Sequence, residues 1–395
     1  MSAGPALKKP SKFKGVGDLF KEINLVYDSG AFDILYNKAL ADKITPDYVL
    51  ETYEIMGYTK DTRLIQFDLP IDFYDTLEKR LEWIVRSILN YLYMVQKNNQ
   101  IIPVIHGWTL EELQISLEGV LFGEIDGLVH DYSANADIKE IAVGSYAATT
   151  TAKVRVGNQY VGVGSYSAKM VPQVSKKAKR TAGKTRLSAK IVYPRLAIAL
   201  SLLKKFDITD ILVLGAGGIG NMHLAFACGA IAVDGTSWKM VATRFFAIFI
   251  PGRGTRTLLE KMESRTYPKA NEDDLKALRE LHKQPDYPFA DIPFETLCKI
   301  FATEKDSAAA LTRMIHNVYV IKYEIENYSM EFANDPDGYF SYLEKRWHGN
   351  RHWTPRLKIM KEAISDEYIP QADLRSFLKM KPNDTRLFQK VVMDR

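Results

Sequence analysis

A buried strand that stops at a carboxylate constrains this chain more than any other feature. The stretch Ile23 to Tyr36 reads INLVYDSGAFDILY: an apolar, strand-forming run ends at Asp28, and Ser29 and Gly30 follow where the chain must turn. The same order recurs downstream. RLIQFDLP ends at Asp68, IIPVIHGW at His106 and Gly107, YVGVGS at Ser165, DILVLGAGG at a glycine cluster that begins with Gly215, and AIAVDGTSW at Asp234. Between these runs the period changes to that of helices. Pro46 to Tyr58 reads as a helix entered through Thr45, and Tyr74 to Lys97 places Leu77, Leu81, Ile84, Ile88 and Leu92 on one face. Thr109-Leu-Glu-Glu112 has the form of a capping box, and further helices are expected over Ala189 to Lys205 and Asn221 to Cys228. Strand-helix-strand units with their polar ends on one side predict an α/β fold, either a parallel barrel or a doubly wound sheet. In both, the carboxyl ends of the strands carry the chemistry.

Two stretches break the alternation. Ile138 to Met170 has alternating strand character, a Gly-Asn turn near Gly157 and the near-repeat AVGSY/GVGSY, so it reads as an inserted β-hairpin beside one sheet strand. The sequence leaves open which VGSY copy is the sheet strand. Beyond Trp238, ATRFFAIFIPGRG reads as a second hairpin, followed by polar helices and by an apolar-striped helix from Asp306. The domain reading is a basic arm over residues 1–18, an α/β barrel over 19–260 with an insertion over about 138–190, and a helical region over 261–395.

The chain of 395 residues is 46% hydrophobic and 26% charged, a globular composition. Its net charge of +5 matters less than where the charges fall. Between Glu140 and Asp207 there is no acidic residue but 13 Lys or Arg, with a knot at Lys176, Lys177, Lys179, Arg180, Lys184 and Arg186. With Arg253, this knot is the expected surface for an extended polyanion, that is, nucleic acid. No apolar stretch reaches the roughly 18 residues of a membrane span, and the first residues lack the core of a signal peptide, so a cytoplasmic protein without a membrane partner is expected. Cys228 and Cys298 cannot build a disulfide framework or a four-cysteine metal site, and they read as buried apolar thiols.

Taken in order, Asp28-Ser29-Gly30-Ala31-Phe32, Phe67-Asp68, His106-Gly107, Gly162-Val163-Gly164-Ser165, the Leu214-Gly215 strand end and Val233-Asp234 resemble the tRNA-guanine transglycosylases. The chain is still more similar to their DNA-modifying relatives, the 7-deazaguanine DNA transglycosylases. Met314-Ile-His-Asn-Val318 resembles the late helix of that family. The resemblance implies a TIM-type barrel whose strand ends hold a flipped nucleotide. It implies Asp234 as the nucleophile on the sugar C1′ and Asp28 as the acid/base. It also implies a substrate-binding set of Ser29, Gly30, Phe32, Asp68, His106, Gly107, Gly162, Gly164, Ser165 and Gly215. The chemistry asks for two carboxylates on its own account, because glycosidic cleavage passes through an oxocarbenium-like state. A duplex base must also leave the stack to reach them. Because Asp234 follows the apolar run AIAV, burial is expected to hold it in a pocket.

The departures from the family are specific. Where the family usually shows Cys-X-Cys-X-X-Cys and a later His for zinc, the stretch DYPFADIPF has no cysteine and leaves His316 without thiolate partners, so no metal is expected. The family's base-reading glutamine is His106 here, which changes the donors and acceptors offered to the base and points away from guanine. Only 27 residues precede Asp28, where the family has two barrel strands, so the barrel is either incomplete or closed by the inserted hairpins. GAGGIG at 215–220 is similar to a dinucleotide fingerprint but lacks the following acidic partner, and no cofactor is expected. Trp347, His348, His352 and Trp353 read as the docking cluster of a C-terminal helix, with tracking of nucleic acid as the alternative. The functional expectation is a glycosylase that acts on DNA rather than tRNA, releases a modified or unusual base and serves in defence against phage. The alternatives are a base-exchange transglycosylase that inserts a 7-deazaguanine, and a non-catalytic nucleic-acid-binding protein on a decayed barrel.

Overall fold

The apolar runs and the amphipathic stretches between them alternate as parallel strands and helices. The computed structural model describes residues 7, 9–20, 25–31, 43–71, 76–125, 128–129, 138–144, 152–156, 159–163, 196–259, 267–304, 306–332, 335–350 and 353–364. It divides into two compact units, residues 1–215 with 230–232 and 359–395, and residues 216–229 with 233–358. The division falls within the glycine loop at 215–216, whereas the sequence places a boundary near 260.

The first unit runs through β1 (Val26–Tyr27), α1 (Pro46–Met56), β2 (Arg63–Ile65), α2 (Leu77–Lys97), β3 (Ile101–Ile102), β4 (Val104–Ile105) and α3 (Leu110–Phe122). A two-strand hairpin follows, β5 (Glu124–Ile125) with β6 (Leu128–Val129), then β7 (Glu140–Val143), the hairpin of β8 (Ala152–Val156) and β9 (Gln159–Val163), helix α4 (196–205) and β10 (Asp210–Val213). The strands pair in parallel in the orders β1-β2-β3 and β4-β7-β10, and β11 (Ala232–Val233) forms the edge next to β10. Their spatial order follows chain order throughout. One residue or two from each strand, Val26, Ile65, Ile102, Val104, Ala142, Leu212 and Leu214, packs into a shared apolar cluster on one face, with Ala232 beside it.

Local sequence explains the helix ends. Thr45, Thr76 and Thr109 accept the N–H of Tyr48, Lys79 and Glu112 at 3.2, 3.3 and 3.1 Å, and so cap α1, α2 and α3. The cap at Thr76 starts α2 later than the Tyr74 of the sequence reading. Gly123, at φ 67°, ends α3 in the left-handed conformation. The expected strand from Ile101 to Ile105 is split, because Pro103 has no N–H to carry a ladder through. Gln66 closes the gap: its carbonyl accepts Val104 N–H at 2.9 Å and its amide donates to Ser87 O at 3.0 Å.

β7 settles which copy of the repeat belongs to the sheet. Glu140–Val143 pairs with β4 and β10, so the first VGSY copy begins at the end of a sheet strand, whereas Val163, which begins the second, ends β9 of the antiparallel β8–β9 hairpin.

The second unit comprises α5 (Ile219–Ala227), α6 (Ser237–Arg244), the hairpin of β12 (Ala247–Ile250) and β13 (Gly254–Thr257), α7 (Glu272–His282), α8 (Phe294–Phe301), α9 (Ser307–Glu324), α10 (Pro336–Arg346) and the first residues of α11 (Thr354–Ile364). Its core gathers Phe249, Ile250, Leu278, Leu281, Leu297, Phe301 and Val320. The hairpin, the polar helix capped at Asn271 and the helix capped at Asp306 match the sequence reading. Helix α6 does not, since the sequence reading gives its first residues no element and places Ala242 to Arg244 in the hairpin stretch.

Candidate active site at the strand ends of the first unit

Residues i and i+2 of a strand share a face. Asp28, His106 and Gly144 each stand two residues beyond a member of the apolar cluster, Val26, Val104 and Ala142 respectively. The sheet therefore sends these three positions to one end of its packed face.

Asp68 joins them by a different route. After Ile65 the chain leaves the ladder and is held by α2: Met94 Sδ accepts Phe67 N–H at 3.2 Å, Asn90 donates to Phe67 O at 3.0 Å, and Ser87 Oγ accepts Leu69 N–H at 2.8 Å. These bonds fix a carboxylate that is only 4% exposed. Ser29 donates to Asp68 Oδ1 at 2.9 Å, and His106 Nε2 stands 3.2 Å from Asp68 Oδ2, within charge contact although off the angle of a hydrogen bond. Gly30, at φ 76°, makes the turn that brings Ser29 back, and Ala31 N–H binds Ser29 Oγ at 3.3 Å. Beneath this group Tyr53 donates to Ile65 O at 2.7 Å. Burial, then the charges of Asp28 and Asp68, push its phenol well above the ordinary range, so both carboxylates lie within electrostatic reach of one ring.

The His106 loop is set from α3. Ser116 Oγ accepts His106 N–H at 3.0 Å, and Glu112 accepts Trp108 N–H at 2.6 Å. Glu112 also takes the Arg80 guanidinium at 2.8 and 3.0 Å, both side chains being buried. The capping box is thus half formed, because the Glu112 carboxylate is drawn to Arg80 and Trp108 and not to the backbone of Thr109. A Cβ on Gly107 would stand 2.5 Å from Leu113 N, so α3 can start here only after a glycine.

Gly144 is the residue that the sequence reading missed. A Cβ there would overlap His106 Cε1 and stand 2.8 Å from its Nδ1. The signal was the first AVGSY copy, since the set chosen from sequence took the second. Gly162 lies in β9 opposite Lys153, in an antiparallel pair rather than a parallel strand. Gly164, Ser165, Phe32, Lys176, Lys177, Lys179, Arg180, Lys184, Arg186 and His352 fall outside the described residues.

Asp234 belongs to the second unit, where its carbonyl accepts Gly217 N–H at 3.3 Å and Gly235 packs against Gly217 Cα. It is exposed, contrary to the expected burial, because β11 is an edge strand and its apolar run is itself partly open, with Ile231 49% exposed. Gly215 takes a φ of 78°, and the glycines after it turn the chain into α5. Arg253 is held by Asp273 at 3.1 Å and Asp274 at 3.0 Å. Trp347 is buried and stacks on Trp353 at 5.1 Å, and Arg356 of α11 lies over Trp353, which fits the docking role. His316 is bound through both nitrogens, to Tyr287 and to Phe249 O, each at 2.8 Å.

Comparison with protein-family models finds no match, and comparison with curated proteins finds none.

Proposed function

We propose that the protein cleaves the N-glycosidic bond of a base in nucleic acid, and that it acts as a DNA glycosylase on a modified or unusual base. The observation that carries this reading is the buried Ser29-Asp68-His106 group beside Asp28 at neighbouring strand ends. A charged, hydrogen-bonded set at that end of a parallel sheet suits a polar planar ligand better than it suits a core. The chain-ordered parallel strands support the reading of a TIM-type barrel.

In this proposal a base is flipped from the duplex onto Asp68 and His106, with the flat backbone at Gly144 beneath it. The Asp234 carboxylate forms a bond to C1′ as the C1′–N bond breaks, and Asp28 gives its proton to the departing base. Asp28 then takes a proton from water, the water oxygen bonds to C1′, and the Asp234 carboxylate is released with an abasic sugar left behind. The roles of Asp234 and Asp28 come from the sequence resemblance. An imidazole in place of a carboxamide favours excision of a base other than guanine over exchange.

Incubation with modified and unmodified duplexes should give alkali-labile sites on the modified one. Asp234→Asn should abolish them, and Asp28→Asn should slow them by about 10²-fold or more. Retention of a labelled free base in the polynucleotide would instead establish exchange. Neither product, with DNA binding intact in Asp234→Asn, would leave the non-catalytic reading.

A further inference from the structure

The sheet parts at its amino ends. β3 pairs with β2 and β4 with β7, and the bond from Ala142 N–H to Pro103 O, at 2.9 Å, opens the ladder across that junction. Beside the amino ends of β2, β3 and β7 there is a cleft of about 440 Å³, at the end of the strands opposite Asp28, Asp68 and His106. That volume lies in the range of small-molecule sites, roughly 300 to 1,000 Å³.

Its lining is unusual in what it leaves unsatisfied. Tyr91 of α2 lines the cleft although it is only 1% exposed, and its hydroxyl has no hydrogen-bond partner among the described residues. The small exposed part of the residue includes that hydroxyl, which is not among the buried atoms that lack a partner. Lys60 and Lys139 also line it, both exposed and neither in an ion pair among the described residues. Arg63 is already tied to Glu140 at 2.6 Å, and Asp61 is the one acid of the lining without an ion pair. Ile101, Ile102 and Pro103 border it but are buried, and Asn99 and Gln100 are the open polar part of the remaining lining.

We infer that this cleft binds a small phosphorylated molecule, whose phosphate takes the Tyr91 hydroxyl and the Lys60 and Lys139 ammonium groups. Two compact ammonium charges and one phenol are point donors, which suits an oxyanion that accepts on several oxygens. The lining's one guanidinium, that of Arg63, is already in contact with Glu140 through Nε. Asn99 and Gln100 offer polar contacts to the group that carries the phosphate, so the sugar of a nucleoside monophosphate has the matching chemistry.

The test is calorimetric titration of the full chain with a nucleoside 5′-monophosphate and, separately, with inorganic phosphate. The nucleotide should bind at one saturable site, and phosphate should compete for it more weakly. Tyr91→Phe should lower nucleotide affinity about tenfold without lowering the melting temperature, since the hydroxyl holds no protein group. Lys60→Ala with Lys139→Ala should abolish binding, and Asp28→Asn should leave it unchanged. The inference fails if no saturable binding occurs below about 1 mM, a free energy near −4 kcal/mol. It fails equally if Tyr91→Phe binds as wild type, or if Asp28→Asn loses the site, which would place the ligand at the other end of the sheet.

Discussion

At the scale of single residues, the strand-end group depends on one side chain that is missing and one that is small. Gly144→Ala adds no charge and removes no hydrogen bond of the group, yet its methyl must displace His106 from its place beside Asp68. Base release by Gly144→Ala should therefore fall at least about tenfold while DNA binding is retained, and wild-type turnover in this variant would remove His106 from the site. Ser29→Ala takes a neutral donor from a buried carboxylate and leaves Asp68 Oδ1 without that bond. Its expected cost is about 1 to 3 kcal/mol in chemical denaturation, and Ser29→Thr should restore part of it. Asp28, Asp68 and His106 are legible in the sequence because each ends an apolar run. Gly144 is not, because what requires a glycine there is an imidazole from the neighbouring strand, and that pairing is invisible in a one-dimensional pattern. The second VGSY copy has the same alternation, so only the register of β7 against β4 and β10 separates the two.

At the scale of elements, the helices of the first unit act as clamps on the loops that follow the strands. The Arg80–Glu112 pair ties α2 to α3 inside the core, and the free oxygen of Glu112 holds the backbone of Trp108 next to His106. Glu112→Ala would remove a buried carboxylate from that guanidinium, so a loss of about 3 to 5 kcal/mol is expected, read from the urea midpoint at constant slope. Replacing both partners, Arg80→Met with Glu112→Leu, should recover much of that loss in stability but not the position of the His106 loop. Double-variant activity equal to wild type would show that the clamp does not position the site. Thr109 and Glu112 match a capping box in sequence, and the cap itself forms. The redirected carboxylate is a tertiary effect, since a buried guanidinium outbids a local backbone N–H. Helix α6 was illegible for a related reason: its run SWKMVATR has buried positions only at Val241 and Ala242, too few to print a period of 3.6.

At the scale of the whole molecule, the buried titratable groups make acid act unequally on the two units. In the second unit His316 donates from Nε2 to Phe249 O, since a carbonyl only accepts, and its Nδ1 accepts the Tyr287 hydroxyl, so the neutral ring is fully satisfied. Burial pushes its pKa down from 6.5 to about 4. The unfolded chain therefore takes up the proton first as pH falls. The stabilisation from His316 is complete above pH 6.5 and is lost on the way to pH 4, on the order of 3 kcal/mol. His223 shifts the same way through burial. Burial alone would raise Glu324, but hydrogen bonds from His223 and Arg346 outweigh it and hold the carboxyl at about 2, so its contribution disappears between pH 4.5 and 2. In the first unit the partly buried Glu140 moves oppositely: burial raises its carboxyl, the folded form binds the proton first, and lowering the pH relieves a cost. Amide exchange at pH 7 and pH 4.5 should thus show α9 and β12 losing protection while β2 and β7 keep theirs. His316→Gln offers the same donor and acceptor without a titrating ring, and it should flatten the fall in stability between pH 6.5 and 4. An unchanged slope in that variant, or protection lost first at β2 and β7, would mean that the acid response lies in groups other than His316.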